Sequence, residues 1–269
     1  MIELLARHNE DVPLDVAALE LARVEFPDLD VSPWISLLDS YANELSERIR
    51  PFDSGETFIE KTNHYLFEEL EFRGNDGDYY NPLNSCLNQV LMDRTGLPIT
   101  LSLVYIEIAR RLERPVYGIG MPGHFLVEYN GEDFQGYIDP FHRGRLLGAE
   151  ECLALASRVT GMDLSQSLEA LEPVGKRQMA LRMLNNMRAA YLKRAAWNKA
   201  MNVQDLLVES APDEPTEYRQ RGYLHLQMKS YREAVQDLER YLKLSPQAKD
   251  RAEVERRLKG IRRWVAGMN

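Results

Sequence analysis

Hydrophobic positions recur at helical spacing through the first part of the chain. Residues 13–50 contain two such runs, in which apolar side chains return every three or four positions and prolines mark the helix boundaries. A third run covers about residues 56–71, and residues 98–112 carry a wide apolar stripe typical of a buried helix. The pattern therefore predicts N-terminal helices that cover the domain following them.

A change to short extended runs follows at about residue 115. The runs FLVEY and FQGYID read as strands, and Asn130-Gly131 between them is a strong hairpin signal. A turn centred between Gly131 and Glu132 would place His124 and Asp139 directly opposite each other on one side of the sheet. We therefore expect a small antiparallel sheet and, with the helices, an α+β fold.

The last third of the chain is helical and repetitive at a period of 34 residues. Small residues and prolines fall where a tetratricopeptide repeat needs them, at Gly222, Ala234 and Pro246. The pattern predicts one clear repeat at about 215–248 and a degraded one at about 181–214, which has Arg188 in place of the glycine. Residues 251–265 would form a closing helix. Two repeats are fewer than a free-standing array needs, so we expect this region to pack on the first domain.

The domain boundary is predicted near Pro173 and Gly175, where a loose stretch ends. We therefore divide the chain into residues 1–172, an α+β domain that includes the N-terminal helices, and residues 176–269, the repeat domain.

Composition excludes several classes of function. Hydrophobic residues make up 44% and charged residues 28% of the chain, as in ordinary globular proteins, and the net charge of −9 argues against nucleic-acid or anionic-lipid partners. No apolar run is long enough for a membrane span, and the first residues lack the features of a signal peptide. The two cysteines form no disulfide framework, and the five histidines lack metal-ligand spacing. We expect a cytoplasmic protein with no cofactor and no metal.

Candidate chemistry centres on Cys86, His124 and Asp139, which follow one another in this order. Cys86 begins an amphipathic segment, and a helix N-terminus or a neighbouring imidazolium lowers the pKa of a thiol. His124 would accept the thiol proton, and Asp139 would orient the imidazole. The order and the hairpin symmetry thus predict a thiol nucleophile, its base and the orienting acid.

Other residues near this triad have open roles. An oxyanion would need a donor near the sulfur, either the backbone N–H of Cys86 or a side-chain amide. The candidate amides are Asn81 and Asn84, with Asn88 and Gln89 as further possibilities. His142 competes with His124 for the role of base, and we rank it second. Cys152 lies on an apolar helical face and reads as a buried hydrophobic residue.

Three motifs add a resemblance. The sequences R-x-G-x-P-I at residues 94–99, P-G-H-F at 122–125 and D-P-F at 139–141 resemble those of the SirB-type family of bacterial proteins. This resemblance implies a transglutaminase-like domain with a papain-like core, in which a helix-borne cysteine faces a small antiparallel sheet, followed by tetratricopeptide repeats. It also implies that the family's triad falls on Cys86, His124 and Asp139. The same domain type resembles one in an F-box protein of animals, where it serves within a larger assembly.

Two functions are compatible with these observations. The first is a Cys-His-Asp hydrolase or acyl transferase that acts on a peptide-like amide or ester. The alternative is a non-catalytic binding or regulatory scaffold, since repeat surfaces commonly hold peptides or proteins. A protein or peptide partner is expected in either case, through the repeats or the cleft. The sequence leaves the choice between enzyme and scaffold, the substrate and the oligomeric state open.

Overall fold

The chain folds into an α+β unit followed by helices in the computed structural model, which describes residue 5 and residues 12–266. The helices are α1 (Leu14–Leu21), α2 (Ser32–Ser46), α3 (Gly55–Asn63), α4 (Leu87–Asp93), α5 (Pro98–Arg111), α6 (Ala149–Thr160), α7 (Lys176–Lys193), α8 (Trp197–Ser210), α9 (Pro215–Gln227), α10 (Tyr231–Leu244) and α11 (Arg251–Ala266). The strands are β1 (Arg73–Gly74), β2 (Thr95–Gly96), β3 (Val116–Ile119), β4 (Leu126–Asn130), β5 (Gln135–Asp139) and β6 (Arg145–Leu147).

The predicted N-terminal helices are present, with one local difference in the third. Helix α3 continues after Asn63 as a π-helical segment, His64–Glu69, before the chain reaches β1. Helix α5 is buried along most of its length, as its wide apolar stripe predicts. It packs against α2 on one side and against the sheet on the other, so it forms the centre of this part of the core.

Four antiparallel strands form the main sheet in the order β3-β4-β5-β6. Asn130 pairs with Gln135, so the turn is centred between Glu132 and Asp133 and not between Gly131 and Glu132. The predicted direct pairing of His124 with Asp139 is therefore wrong by one position on each strand. In the observed register Leu126 is the residue opposite Asp139, and His124 approaches Asp139 diagonally from two residues earlier.

A long-range contact anchors the hairpin loop, which is longer than the Asn-Gly signal indicates. The Gly131 N–H donates to the Phe134 carbonyl at 3.0 Å, which closes a loop of four residues. Within this loop, the Asp133 carboxylate accepts a hydrogen bond from the Gly55 N–H at the start of α3, at 2.6 Å. This bond joins residues 78 positions apart, so no local pattern could have indicated it.

The helical region begins with two antiparallel pairs, α7 with α8 and α9 with α10, and α11 packs on α10. Buried side chains of α7 and α8 belong to the same hydrophobic core as those of α5 and the N-terminal helices. This contact is the packing of repeats on the first domain that the sequence predicts. The boundary near Pro173 stays a prediction, since one continuous core crosses it.

Gly222 allows α9 and α10 to pack closely in the clear repeat. A Cβ atom at this position would lie 2.8 Å from Leu238 Cγ on α10. We expect Gly222→Ala to lower the free energy of unfolding by about 1–3 kcal/mol, because the extra methyl group forces α9 and α10 apart. Chemical denaturation measures the change.

Gly260 on α11 is the matched control for Gly222. No atom lies within 4 Å of a Cβ built there, so Gly260→Ala should instead stabilise the protein by about 0.5–1 kcal/mol through helix propensity. Equal effects of the two substitutions would contradict a close helix crossing at Gly222.

Candidate functional site

His124, Asp139 and His142 form a hydrogen-bonded cluster at the end of the sheet. His124 Nε2 lies 2.9 Å and His142 Nδ1 lies 2.7 Å from the same oxygen, Asp139 Oδ2. An ionised carboxylate only accepts hydrogen bonds, so each imidazole donates an N–H to it. Asp139 and His124 are buried, whereas the His142 side chain is about half exposed at 52%. The structure therefore brings His124 and Asp139 together and adds His142.

Local backbone geometry holds Asp139 in this position. Asp139 ends β5 and caps a short 3-10 helix, Pro140–His142, by accepting from the N–H groups of Phe141 and His142 on its other oxygen, Oδ1. Pro140 suits the first position of such a turn, since proline has no N–H to satisfy. Together these contacts give the carboxylate four donors, and its orientation is fixed from both sides.

The electrostatics of Asp139 follow from these neighbours. Burial by itself would raise the pKa of the carboxyl group, but the hydrogen bonds from His124 and His142 outweigh burial and hold the pKa below its usual range. Asp139 is therefore ionised near neutral pH. It can orient both imidazoles, as an acid paired with a base does.

Among the described residues, His124, Asp139 and His142 are also the group of side chains that could hold a metal ion. Their ligand atoms lie within 4.8 Å of one another. Nitrogen and oxygen ligands around a tetrahedral Zn²⁺ lie roughly 3.3 Å apart, from Zn–ligand distances of about 2.0–2.1 Å. The observed 2.7 and 2.9 Å are hydrogen-bond lengths, so a cation would have to replace both bonds. Histidine spacing in the sequence did not indicate this cluster, because the fold brings His124 to Asp139 from 15 residues away.

Cys86 lies in a different environment from the His124 cluster. It is the N-cap residue of α4, directly after a 3-10 turn, Pro82–Ser85, and it is fully buried. Its thiol faces the Pro82 carbonyl oxygen at 3.7 Å. Within the described part of the chain, no hydrogen bond joins Cys86 to His124.

Both cysteines have thiols that resist ionisation. Burial raises the pKa of Cys86 to about 12, with a further contribution from the negative charge of Glu25. Burial likewise raises the pKa of Cys152 to about 12. Near neutral pH both side chains are neutral thiols, and the thiolate is the reactive form.

The two candidate amides for an oxyanion site have structural hydrogen bonds. The Asn81 side chain accepts from the Leu83 N–H and so caps the 3-10 turn before Cys86. The Asn84 side-chain amide donates to the backbone carbonyls of Asp78 and Tyr79. Asn84 also accepts from Asn75. These bonds order the loop before Cys86, and the oxyanion role of both residues stays a prediction.

A small cavity of about 170 Å³ lies beside His124. The residues that line it are Tyr79, Pro98, Ile99, Gly123, His124, Phe125, Arg182 and Asn186. Pro98 and Ile99 are the first residues of α5, so the N-terminus of α5 lies at this cavity. Cys86 instead caps the N-terminus of α4. Sequence reasoning missed Arg182, Tyr79 and Asn186 as members of a site. Tyr79 lies in the loop before Cys86, and Arg182 and Asn186 lie on α7. Nothing in the sequence indicates that these two segments meet.

Charge is divided unevenly along the chain. Residues 176–269 hold 20 of the 33 Lys and Arg residues but only 11 of the 42 Asp and Glu residues. The repeat region is therefore net positive, and the preceding part is strongly negative. A groove between α10 and α11 continues this trend, with Lys243, Arg251 and Lys259 among its lining residues.

None of the described helices is both long and apolar enough to cross a bilayer.

Comparison with known proteins agrees with this architecture. Residues 33–185 match the transglutaminase-like superfamily, and residues 187–259 match a tetratricopeptide repeat. The chain is thus a transglutaminase-like protein with C-terminal tetratricopeptide repeats, a region type that generally mediates protein–protein contacts. It belongs to the UPF0162 family, and the SirB-type resemblance is confirmed.

The chain is similar to proteins from bacteria and from an animal. A UPF0162 protein of Xylella fastidiosa is 36% identical over 241 residues, which cover 88% of this chain and 86% of the relative. The UPF0162 protein YchA of Escherichia coli K12 is 23% identical over 233 residues, or 86% and 85% of the two chains. Human F-box only protein 21 is 40% identical over 103 residues, which are 35% of this chain but 16% of that protein.

Proposed function

We propose that this protein is a binding module without thiol catalysis, in which the transglutaminase-like part and the repeats both contact a protein partner. The observation that carries the proposal is the environment of Cys86. Its thiol is buried and protonated, it faces the Pro82 carbonyl, and it is not among the residues that line the cavity beside His124. A catalytic nucleophile needs access to its base and its substrate, so the burial of this thiol and its contact with the Pro82 carbonyl support a non-catalytic role.

Two further observations support a binding role. The net positive repeat region suits a partner with an acidic surface, because complementary charge speeds and orients association. In addition, the similar region of human F-box only protein 21 makes up 16% of that protein. Related sequence is thus used as one part of a longer chain, as expected for a module.

A thiol enzyme is the second candidate, and one observation favours it. The buried His124–Asp139 hydrogen bond of 2.9 Å is the base-and-orienter half of a catalytic triad. Catalysis by Cys86 would then require its sulfur to move into reach of His124. Such an enzyme would act on a peptide-like amide or ester through an acyl intermediate.

Alkylation with iodoacetamide separates the two candidates. In the native protein we expect Cys86 and Cys152 to react at similar, slow rates near pH 7, because a pKa of about 12 leaves about a thousandfold less thiolate than an exposed cysteine has. The rate should rise about tenfold with each pH unit between pH 7 and 9, since only the growing thiolate fraction reacts. Mass spectrometry of the labelled peptides gives both rates.

Cys152 serves as the internal control, since burial raises the pKa of its thiol to about the same value. An enzyme would show the opposite pattern. Cys86 would react at least about tenfold faster than Cys152, its rate would be nearly independent of pH, and His124→Ala would remove the difference. That result would overturn the binding-only proposal.

A further inference from the structure

Arg182 on α7 lacks a counter-charge in the described part of the chain. It is partly buried, and its Nη2 donates to the His124 carbonyl oxygen at 2.7 Å. The guanidinium lies over the Phe125 ring, 5.3 Å from the ring centroid. A guanidinium has five N–H donors. Among the described residues, Arg182 has one hydrogen-bond acceptor, the His124 carbonyl oxygen.

Arg182 has both apolar and polar neighbours at the cavity, and none of them is acidic. Arg182 lines the cavity beside His124 together with Tyr79 and Asn186. Among the described residues, the Tyr79 hydroxyl and the Asn186 amide have no hydrogen-bond partner. No carboxylate lines the cavity. Burial of a cation without an acid is costly, and burial indeed lowers the pKa of Arg182.

Helix α5 adds to the positive potential at this place. Its first two residues, Pro98 and Ile99, line the cavity, so the positive end of a 14-residue helix lies beside the guanidinium. A cavity of about 170 Å³ can accommodate a small anionic group. A single guanidinium matches a carboxylate in charge, and its planar fork matches the two carboxylate oxygens.

His124 provides the complementary acceptor. Its Nε2–H donates to Asp139, so the other ring nitrogen, Nδ1, is an acceptor in the neutral imidazole. Nδ1 has no partner among the described residues. The last residue of a peptide carries a carboxylate and an amide N–H side by side. That residue can use both a guanidinium and an acceptor, whereas inorganic phosphate offers more charge than one guanidinium neutralises.

We propose that the cavity formed by Arg182, Tyr79, Asn186 and His124 binds the C-terminal carboxylate of a partner polypeptide. This inference rests on the proposed binding function and specifies the chemistry that the transglutaminase-like part recognises. Asp139 acts through His124 as a positioning residue, since it fixes the imidazole orientation and keeps Nδ1 free for the ligand.

The test uses the full chain and N-acetyl-L-alanine, a minimal C-terminal residue. Ligand-observed NMR follows the relaxation of the acetyl methyl protons as protein is added. We expect saturable binding with a Kd of about 1 mM and at least tenfold weaker binding of N-acetyl-L-alaninamide, which lacks the carboxylate. N-acetyl-L-aspartic acid 1-amide, with only a side-chain carboxylate, and inorganic phosphate should also bind at least about tenfold more weakly.

Substitutions locate the site. Arg182→Gln and Asn186→Asp should each weaken N-acetyl-L-alanine binding at least tenfold, the second by placing a negative charge in the cavity. The second substitution also keeps the test valid if loss of Arg182 disturbs the fold, which thermal unfolding monitors. Arg158→Gln on α6 makes the same charge change as Arg182→Gln at an exposed position and should change the Kd less than twofold.

Several outcomes would overturn this inference. They are the absence of saturable binding, equal binding of the alaninamide, equal or tighter binding of the side-chain carboxylate or phosphate, and unchanged binding in both cavity variants. The outcome is independent of the alkylation result. Slow labelling of Cys86 without carboxylate binding contradicts only this inference, whereas fast, His124-dependent labelling contradicts the proposed function itself.

Discussion

Arg111→Ala should lower the free energy of unfolding by about 3–5 kcal/mol, the largest effect that we expect from removing a single charged side chain. The Arg111 guanidinium donates to Asp15 Oδ2 at 2.6 Å and to Glu107 Oε2 at 2.8 Å. Both carboxylates are buried, with side-chain exposures of 2% and 1%. Removal of the guanidinium therefore leaves two negative charges buried close together. Urea denaturation at pH 7 measures the loss.

Repulsion between the two acids gives this prediction a second readout. Burial raises the pKa of Glu107, and the charge of Asp15 raises it further. Loss of Arg111 removes an opposing influence, so the pKa of Glu107 should rise more. A folded-state pKa above the unfolded value means that the ionised carboxyl destabilises the fold. The Arg111→Ala protein should therefore regain stability as the pH falls and Glu107 is protonated.

Arg110→Ala is the matched control for Arg111→Ala. Arg110 is adjacent on α5 and also contacts Glu107 Oε2, at 2.8 Å, but its side chain is 53% exposed. Because water can replace much of its contribution, its removal should lower the free energy of unfolding by less than about 1 kcal/mol. Similar losses in the two variants would contradict the assignment of the effect to buried charge.

Truncation after residue 175 should abolish cooperative folding, even though the sequence indicates a domain boundary there. Helix α7 contributes Met183, Leu184 and Met187 to the core, and all three are fully buried. Without α7, the faces of α1 and α5 that pack on it would be exposed to water. The fragment 1–175 should lack a cooperative thermal transition, as measured by circular dichroism.

The fragment 1–212 is the control for this truncation. It keeps α7 and α8, and with them most of the core that crosses the boundary. We expect a cooperative transition in this fragment, at a lower temperature than in the full chain because the α8 surface against α9 is exposed. In the full chain, Leu184→Ala should cost about 2–5 kcal/mol by creating a cavity. A stable, cooperative fragment 1–175 would contradict a shared core.

Local patterns were sufficient for most elements of this fold. The apolar stripe of residues 98–112 indicated a buried helix, and α5 is buried as predicted. The 34-residue period predicted the repeats at the position where Gly222 approaches Leu238. These signals are local because helix periodicity and close helix crossings depend on residues a few positions apart or one repeat apart.

The candidate site depended on contacts that are not local. The hairpin turn lies one residue later than predicted, and within it Asp133 binds the start of α3. In this register His124 meets Asp139 diagonally. His142, ranked second as a base, lies on the same carboxylate oxygen. The sequence favoured Cys86 because it begins a predicted helix and precedes His124 and Asp139. It could not indicate that the N-terminus of α5 would lie at the cavity beside His124.

The sequence by itself determined the α+β fold with C-terminal repeats, and it indicated the His124–Asp139 pair of the predicted triad. Tertiary structure decided the rest, namely the burial of Cys86 and the meeting of Arg182 with His124 from 58 residues away. The physical reason is that periodicity records which face of an element is buried. The pKa of a thiol and the lack of a counter-charge depend instead on the side chains that distant elements bring into contact.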